Sequence, residues 1–128
     1  MHMPQPALLV ADDHPLLRAA VVQVIRSRFP SFKVLEASSA STLSAALAEH
    51  PQIELVLLDL TMPGTHGFSA LLHVRGEHPQ LPVVVISSND HPRVIRRAQQ
   101  FGASGFISKS ASADALPQAL SAVLDGNA

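Results

Sequence analysis

The chain has 128 residues, of which 47% are hydrophobic and 15% charged, with a formal net charge of -1 and no cysteine. That length makes one domain, able to bury about two-thirds of its unfolded surface. The near-neutral balance offers no general attraction to nucleic acid or acidic membranes, and the missing thiols exclude disulfides, thiolate metal sites and a cysteine nucleophile.

The amino terminus lacks the basic start of a secretory signal, and Asp12 interrupts its apolar run too early for a signal core. The methionines at positions 1 and 3 suggest a cloning scar within a short tail over residues 1–6. No apolar run approaches the roughly 20 residues that cross a bilayer, so a cytoplasmic location without membrane contact is expected.

From there the pattern alternates. Short apolar runs of strand character fall at Ala7–Ala11, Phe32–Ala37, Ile53–Leu58, Pro82–Ser87 and Ser104–Ile107. Between and after them, helical spacing covers Pro15–Arg28, Ala40–His50, Phe68–Glu77, Pro92–Phe101 and Ala113–Leu124. Pro15 and Pro92 suit first-turn positions, where a missing N–H costs nothing. Ser39 and either Ser110 or Ser112 are candidate N-caps, and Gly102 and Gly126 stand where helices stop. Strand and helix alternating five times predict a parallel sheet with helices on both faces, in the flavodoxin-like order 2-1-3-4-5. One domain is expected over residues 7–125.

In that order the first and third strands are neighbours, and a crevice opens beyond their carboxyl ends. Asp12 and Asp13 follow LLVA, and Asp59 follows LVLL, so all three acids are expected at that crevice. Three carboxylates there repel one another unless a cation neutralises them. Ser87 ends the fourth strand and Lys109 lies just beyond the fifth. Mg2+ prefers hard oxygen ligands and one or two carboxylates, and an aspartate can attack phosphorus to become an acyl phosphate. Ammonium, hydroxyl and cation would then share the charge of the phosphoryl oxygens.

The stretches VADDHPLLR, LLDLTMPGTHG, VVVISSND and FGASGFISKS occur in that order, each at a strand end. Together they resemble the receiver domains of bacterial two-component response regulators, in particular the NarL/LuxR group, from about Ala7 to Leu124. The resemblance implies a phosphorylation-dependent signalling switch in which Asp59 accepts a phosphoryl group from a sensor histidine kinase. It further implies Mg2+ held by Asp12, Asp13, Asp59 and the Thr61 backbone carbonyl, with Lys109 as the site ammonium. Ser87 and Phe106 would be the switch residues, and Thr61 and Asn89 the positions that tune acyl-phosphate lifetime. The surface of the fourth helix, fifth strand and fifth helix would change, and output would be transcriptional through a DNA-binding domain absent from this chain. Such a domain is no conventional enzyme; its chemistry is confined to its own phosphorylation and dephosphorylation.

Three departures stand out. Ser110 follows the lysine where receivers commonly carry proline, often after a cis bond that costs about 3 kcal/mol without proline. Phe106 replaces the commoner tyrosine, and His66 occupies a loop position that is often acidic or small. Two other readings remain. A haloacid-dehalogenase-like phosphatase also uses an aspartate with Mg2+, but needs a second acid where Thr61 stands. A receiver-like module could instead bind partners without phosphorylation. The histidines His14, His66 and His91 share a rim, yet no metal-ligand spacing supports zinc. Arg93, Arg96 and Arg97 fit a solvated helix face. Apolar stripes at Leu16, Leu17, Val21 and Val24, and at Leu116, Leu120 and Val123, suit a receiver homodimer or simple core packing.

Overall fold

The computed structural model describes residues 5–126. The expected scar at Met1–Met3 lies outside them. Five strands and five helices alternate: β1 (Ala7–Ala11), α1 (Pro15–Arg28), β2 (Lys33–Ala37), α2 (Ala40–Glu49), β3 (Ile53–Asp59), α3 (Ser69–Glu77), β4 (Val83–Ser87), α4 (Pro92–Gln100), β5 (Gly105–Ser108) and α5 (Ala115–Leu124). The sheet is parallel throughout, in the order β2-β1-β3-β4-β5.

The central strands β1, β3 and β4 are apolar on both faces because each face carries helices. Leu9, Val56, Leu58 and Val85 pack with Leu43, Leu47, Leu71 and Val74 under α2, α3 and α4. Leu8, Val10, Leu57 and Ile86 face the other way, onto Val21, Val22, Ile25, Leu116 and Leu120 of α1 and α5. At about 25 cal/mol per Å2 of apolar surface buried, these two layers are the main driving force for folding. The stripes on α1 and α5 are therefore largely core. Leu16 is the exception, at 89% exposure.

Local signals explain most boundaries. Pro15 and Pro92 open α1 and α4. Ser39 caps α2 through a reciprocal arrangement: its hydroxyl accepts from the Thr42 N–H, while Thr42 Oγ1 accepts from the Ser39 N–H. Gly102 and Gly126 follow α4 and α5 at φ of 99° and 79°, a backbone region that glycine enters without a Cβ clash.

The start of α5 differs from expectation. Neither Ser110 nor Ser112 is its N-cap; Asp114 holds that position and makes no side-chain capping bond. The Ser110 hydroxyl is instead 2.8 Å from that of Ser108, and Ser112 contributes only its carbonyl, to the Ala115 N–H. The Lys109–Ser110 peptide is trans, as are all peptides among the described residues. β3 also runs one residue further than expected, to Asp59.

Candidate functional site

Sheet register brings the acids together. Ala11 pairs with Leu58, so Asp12 leaves β1 beside Asp59, the last residue of β3. Asp59 in turn pairs with Ile86, one residue before Ser87. On the far side, the Lys109 N–H donates to the Ser87 carbonyl, which continues the β4–β5 ladder and carries the lysine toward the crevice.

The Asp12 and Asp59 carboxylates are each fixed by the backbone that follows. Asp12 Oδ1 accepts from the His14 N–H at 2.8 Å, an Asx turn that leads into α1. The Arg18 guanidinium donates to the Asp12 carbonyl at 2.7 Å and pairs with Glu36 at 3.0 Å, pinning this turn against β2. Asp59 Oδ1 accepts from both the N–H and the hydroxyl of Thr61, at 3.1 and 3.0 Å. That leaves Asp59 Oδ2 toward the crevice, where Lys109 Nζ donates to it at 3.0 Å.

Asp12 and Asp59 are buried and Asp13 is half-buried. The ammonium of Lys109 also stands 3.7 Å from Asp12 Oδ2. Burial would raise the Asp59 pKa. The Thr61 N–H, the hydrogen bond and charge of Lys109, and the Thr61 hydroxyl together outweigh it and hold the carboxyl below its usual value. Asp59 is therefore an anion at neutral pH.

One ammonium does not balance three carboxylates. Asp12 Oδ2 and Asp13 Oδ1 are shielded from solvent and make no hydrogen bond. Orphaned anionic oxygens are costly unless a cation meets them. Ligand atoms of Asp12, Asp13, His14 and Asp59 all lie within 4.8 Å of one another. The donor set suits a divalent cation.

Sequence reasoning placed His14 only on the rim. Its Nδ1 in fact stands 3.0 Å from Asp12 Oδ1, 3.4 Å from Asp13 Oδ1 and 3.6 Å from Asp59 Oδ2. The available signal was its position directly after the acid pair. His91 does not join the cluster; its ring accepts from the Arg93 N–H and caps α4. The backbone N–H of His66 donates to the Ser69 hydroxyl, ahead of α3. Ser87 is buried at its strand end, and its hydroxyl accepts from the Asn89 N–H at 3.1 Å. Phe106 is half-buried on β5 against the layer that includes Ala98.

Residues 8–121 match the response regulator receiver domain family. The chain belongs to that family. Among its relatives, the glycerol metabolism activator of Pseudomonas putida is 39% identical over 120 residues, covering 94% of this chain and 54% of that protein. The nitrate/nitrite response regulator protein NarL of Escherichia coli strain K12 is 36% identical over 117 residues, covering 91% and 54%. The chain thus spans about half the length of these relatives.

Solved structures agree with this placement. The receiver domain of NtrX from Brucella abortus superposes with a TM-score of 0.83 at 29% identity, covering 92% of this chain and 98% of that one. A LuxR-family two-component response regulator from Aurantimonas sp. SI85-9A1 gives 0.83 at 29% identity, covering 96% and 87%. This receiver is accordingly of the NarL/LuxR kind, and the acid crevice lies at the carboxyl edge of its sheet. Among the described residues no helix is long and apolar enough to cross a membrane.

Proposed function

We propose that this receiver is a phosphorylation-operated switch in which Asp59 takes a phosphoryl group from a sensor histidine kinase. The observation that carries the reading is the contact between Lys109 Nζ and Asp59 Oδ2, set among carboxylate oxygens that lack partners. A carboxylate oxygen of Asp59 attacks phosphorus; the new P–O bond forms as the kinase's P–N bond breaks, and the leaving imidazole keeps the electron pair.

Asp12 and Asp13, directly or through water, would hold Mg2+ together with Asp59 and the Thr61 backbone carbonyl. Bound there, Mg2+ supplies positive charge to the phosphoryl oxygens. Lys109 supplies a second positive charge, from a point already aimed at Asp59. Ser87 would exchange its bond from the Asn89 N–H for a phosphoryl oxygen, and Phe106 would shift with it. Thr61 and Asn89 would tune how quickly the acyl phosphate hydrolyses.

The shift would alter the surface of α4, β5 and α5 by biasing two packings of the same elements. Residues 7–125 would constitute the whole switch. Because the relatives are regulators about twice as long, the output assigned is transcription, exerted through another part of a longer protein in the cytoplasm.

Intact-mass measurement after treatment with acetyl phosphate tests this. One labile phosphoryl adduct that requires Mg2+ and disappears in Asp59→Asn is expected. An unchanged mass in the wild type, or an adduct that survives in Asp59→Asn, would refute it.

A further inference from the structure

A chain of hydroxyls ties the loop before α4 to the turn after β5. Ser108, the last residue of β5, donates its hydroxyl to Asp90 Oδ2 at 3.0 Å. A serine hydroxyl carries one hydrogen, and the carboxylate takes it. The Ser110 hydroxyl, 2.8 Å from Ser108 Oγ, must therefore be the donor in that contact. The Ser110 N–H donates to the same oxygen at 3.2 Å. Ser108 Oγ thus gives one hydrogen bond and receives two, which uses its whole capacity.

Lys109 lies between the two serines. The Ala111 N–H donates to the Ser108 carbonyl at 3.0 Å and closes a turn with Lys109 and Ser110 at its centre. The Ser110 N–H that binds Ser108 Oγ is a donor a proline there would lack. With a trans peptide between Lys109 and Ser110, hydrogen bonds hold this turn in place of a ring. Asp90 anchors it to the neighbouring loop, where the Asn89 N–H is held by the Ser87 hydroxyl at 3.1 Å. From this turn the lysine side chain, 13% exposed, reaches Asp59 Oδ2 at 3.0 Å. A lysine ammonium ends a flexible four-carbon stem, so its place depends on how firmly the backbone beneath it is held.

We propose that Asp90, Ser108 and Ser110 are positioning residues for Lys109, fixing the turn from which its ammonium meets Asp59. None of the three touches Asp59 in the structure; they act through the lysine. The kinetic consequence rests on Asp59 being the phosphoacceptor, as proposed above, whereas the placement of the ammonium can be read without phosphorylation.

Two measurements on the whole chain test this. The sequence holds two lysines, Lys33 and Lys109, and Lys33 is exposed. Proton–nitrogen NMR of ammonium groups should therefore single out Lys109, whose protons are held by Asp59, and the signal should broaden away in Ser108→Ala and in Asp90→Ala. The rate of phosphorylation by acetyl phosphate with Mg2+ should fall about fivefold in the same variants, the effect of about one hydrogen bond. Asp90→Asn keeps an oxygen that can accept from Ser108, and Ser110→Thr keeps both donors, so both should retain signal and rate. An ammonium signal unchanged in Ser108→Ala and Asp90→Ala would overturn the proposal, as would a rate that falls while the signal stays. Loss of signal in Asp90→Asn equal to that in Asp90→Ala would overturn it too, because charge would then matter in place of the hydrogen bond. Wild-type protein that takes no phosphoryl group would overturn the phosphoacceptor reading instead, and the ammonium signal would still decide whether the hydroxyl chain positions Lys109.

Discussion

At the residue scale, the crevice is a balance between three carboxylates and one ammonium, and the balance leaves net negative charge. Removing one of those charges while keeping shape should therefore stabilise the fold. In Asp12→Asn the side-chain oxygen can still accept from the His14 N–H, so the turn into α1 survives and only repulsion is lost. Denaturant unfolding without divalent cations should show a gain of about 1 kcal/mol; a loss of that size would mean the acid is structural first. Lys109 should behave oppositely. Lys109→Ala leaves a buried Asp59 with only Thr61 to hold its charge, at a cost of about 3 kcal/mol at neutral pH. The sign with pH follows. In the wild type the depressed Asp59 pKa contributes stability that is complete above the usual carboxylate range and lost as pH falls through the native value. In the variant, burial lifts that pKa, so the gap between the two proteins should close as the solution is acidified. Unfolding at several pH values, with carbon NMR of the Asp59 carboxyl, checks both halves.

At the element scale, the alternation of apolar runs and helical spacing was enough to read the strands, helices and their order, because the central strands β1, β3 and β4 are buried on both faces and carry long apolar runs. Ser39 was legible as a cap for the same kind of reason: its signal is local. Replacing it should weaken α2, and Ser39→Ala is expected to cost about 1 kcal/mol in thermal or chemical unfolding, with no effect on the acid crevice. The start of α5 was not legible. The run Ser110-Ala111-Ser112-Ala113-Asp114 offers three capping residues in succession, and the phase of α5 is set by burying Leu116 and Leu120 against the sheet. The inward turn of His14 was hidden as well. Chain position put the residue beside the acids, but its inward-facing nitrogen also meets Asp59 and Lys109, which lie far away in the sequence.

At the scale of the whole molecule, the sheet acts as a rigid frame that carries side chains from four strand ends to one crevice, while the helices give it two apolar layers. Strand order makes neighbours of Asp12 and Asp59, and the β4–β5 ladder delivers Lys109 to them; none of these contacts is local in sequence. The central claim is that this convergence makes the Asp59 carboxylate the group that becomes an acyl phosphate. Reductive trapping tests it directly: borohydride converts an aspartyl phosphate to homoserine, which peptide mass spectrometry can locate. After phosphorylation with acetyl phosphate and a divalent cation, homoserine should occur at position 59 and at no other aspartate. Homoserine at position 12 or 13, or a phosphorylated protein that yields none, would contradict the account.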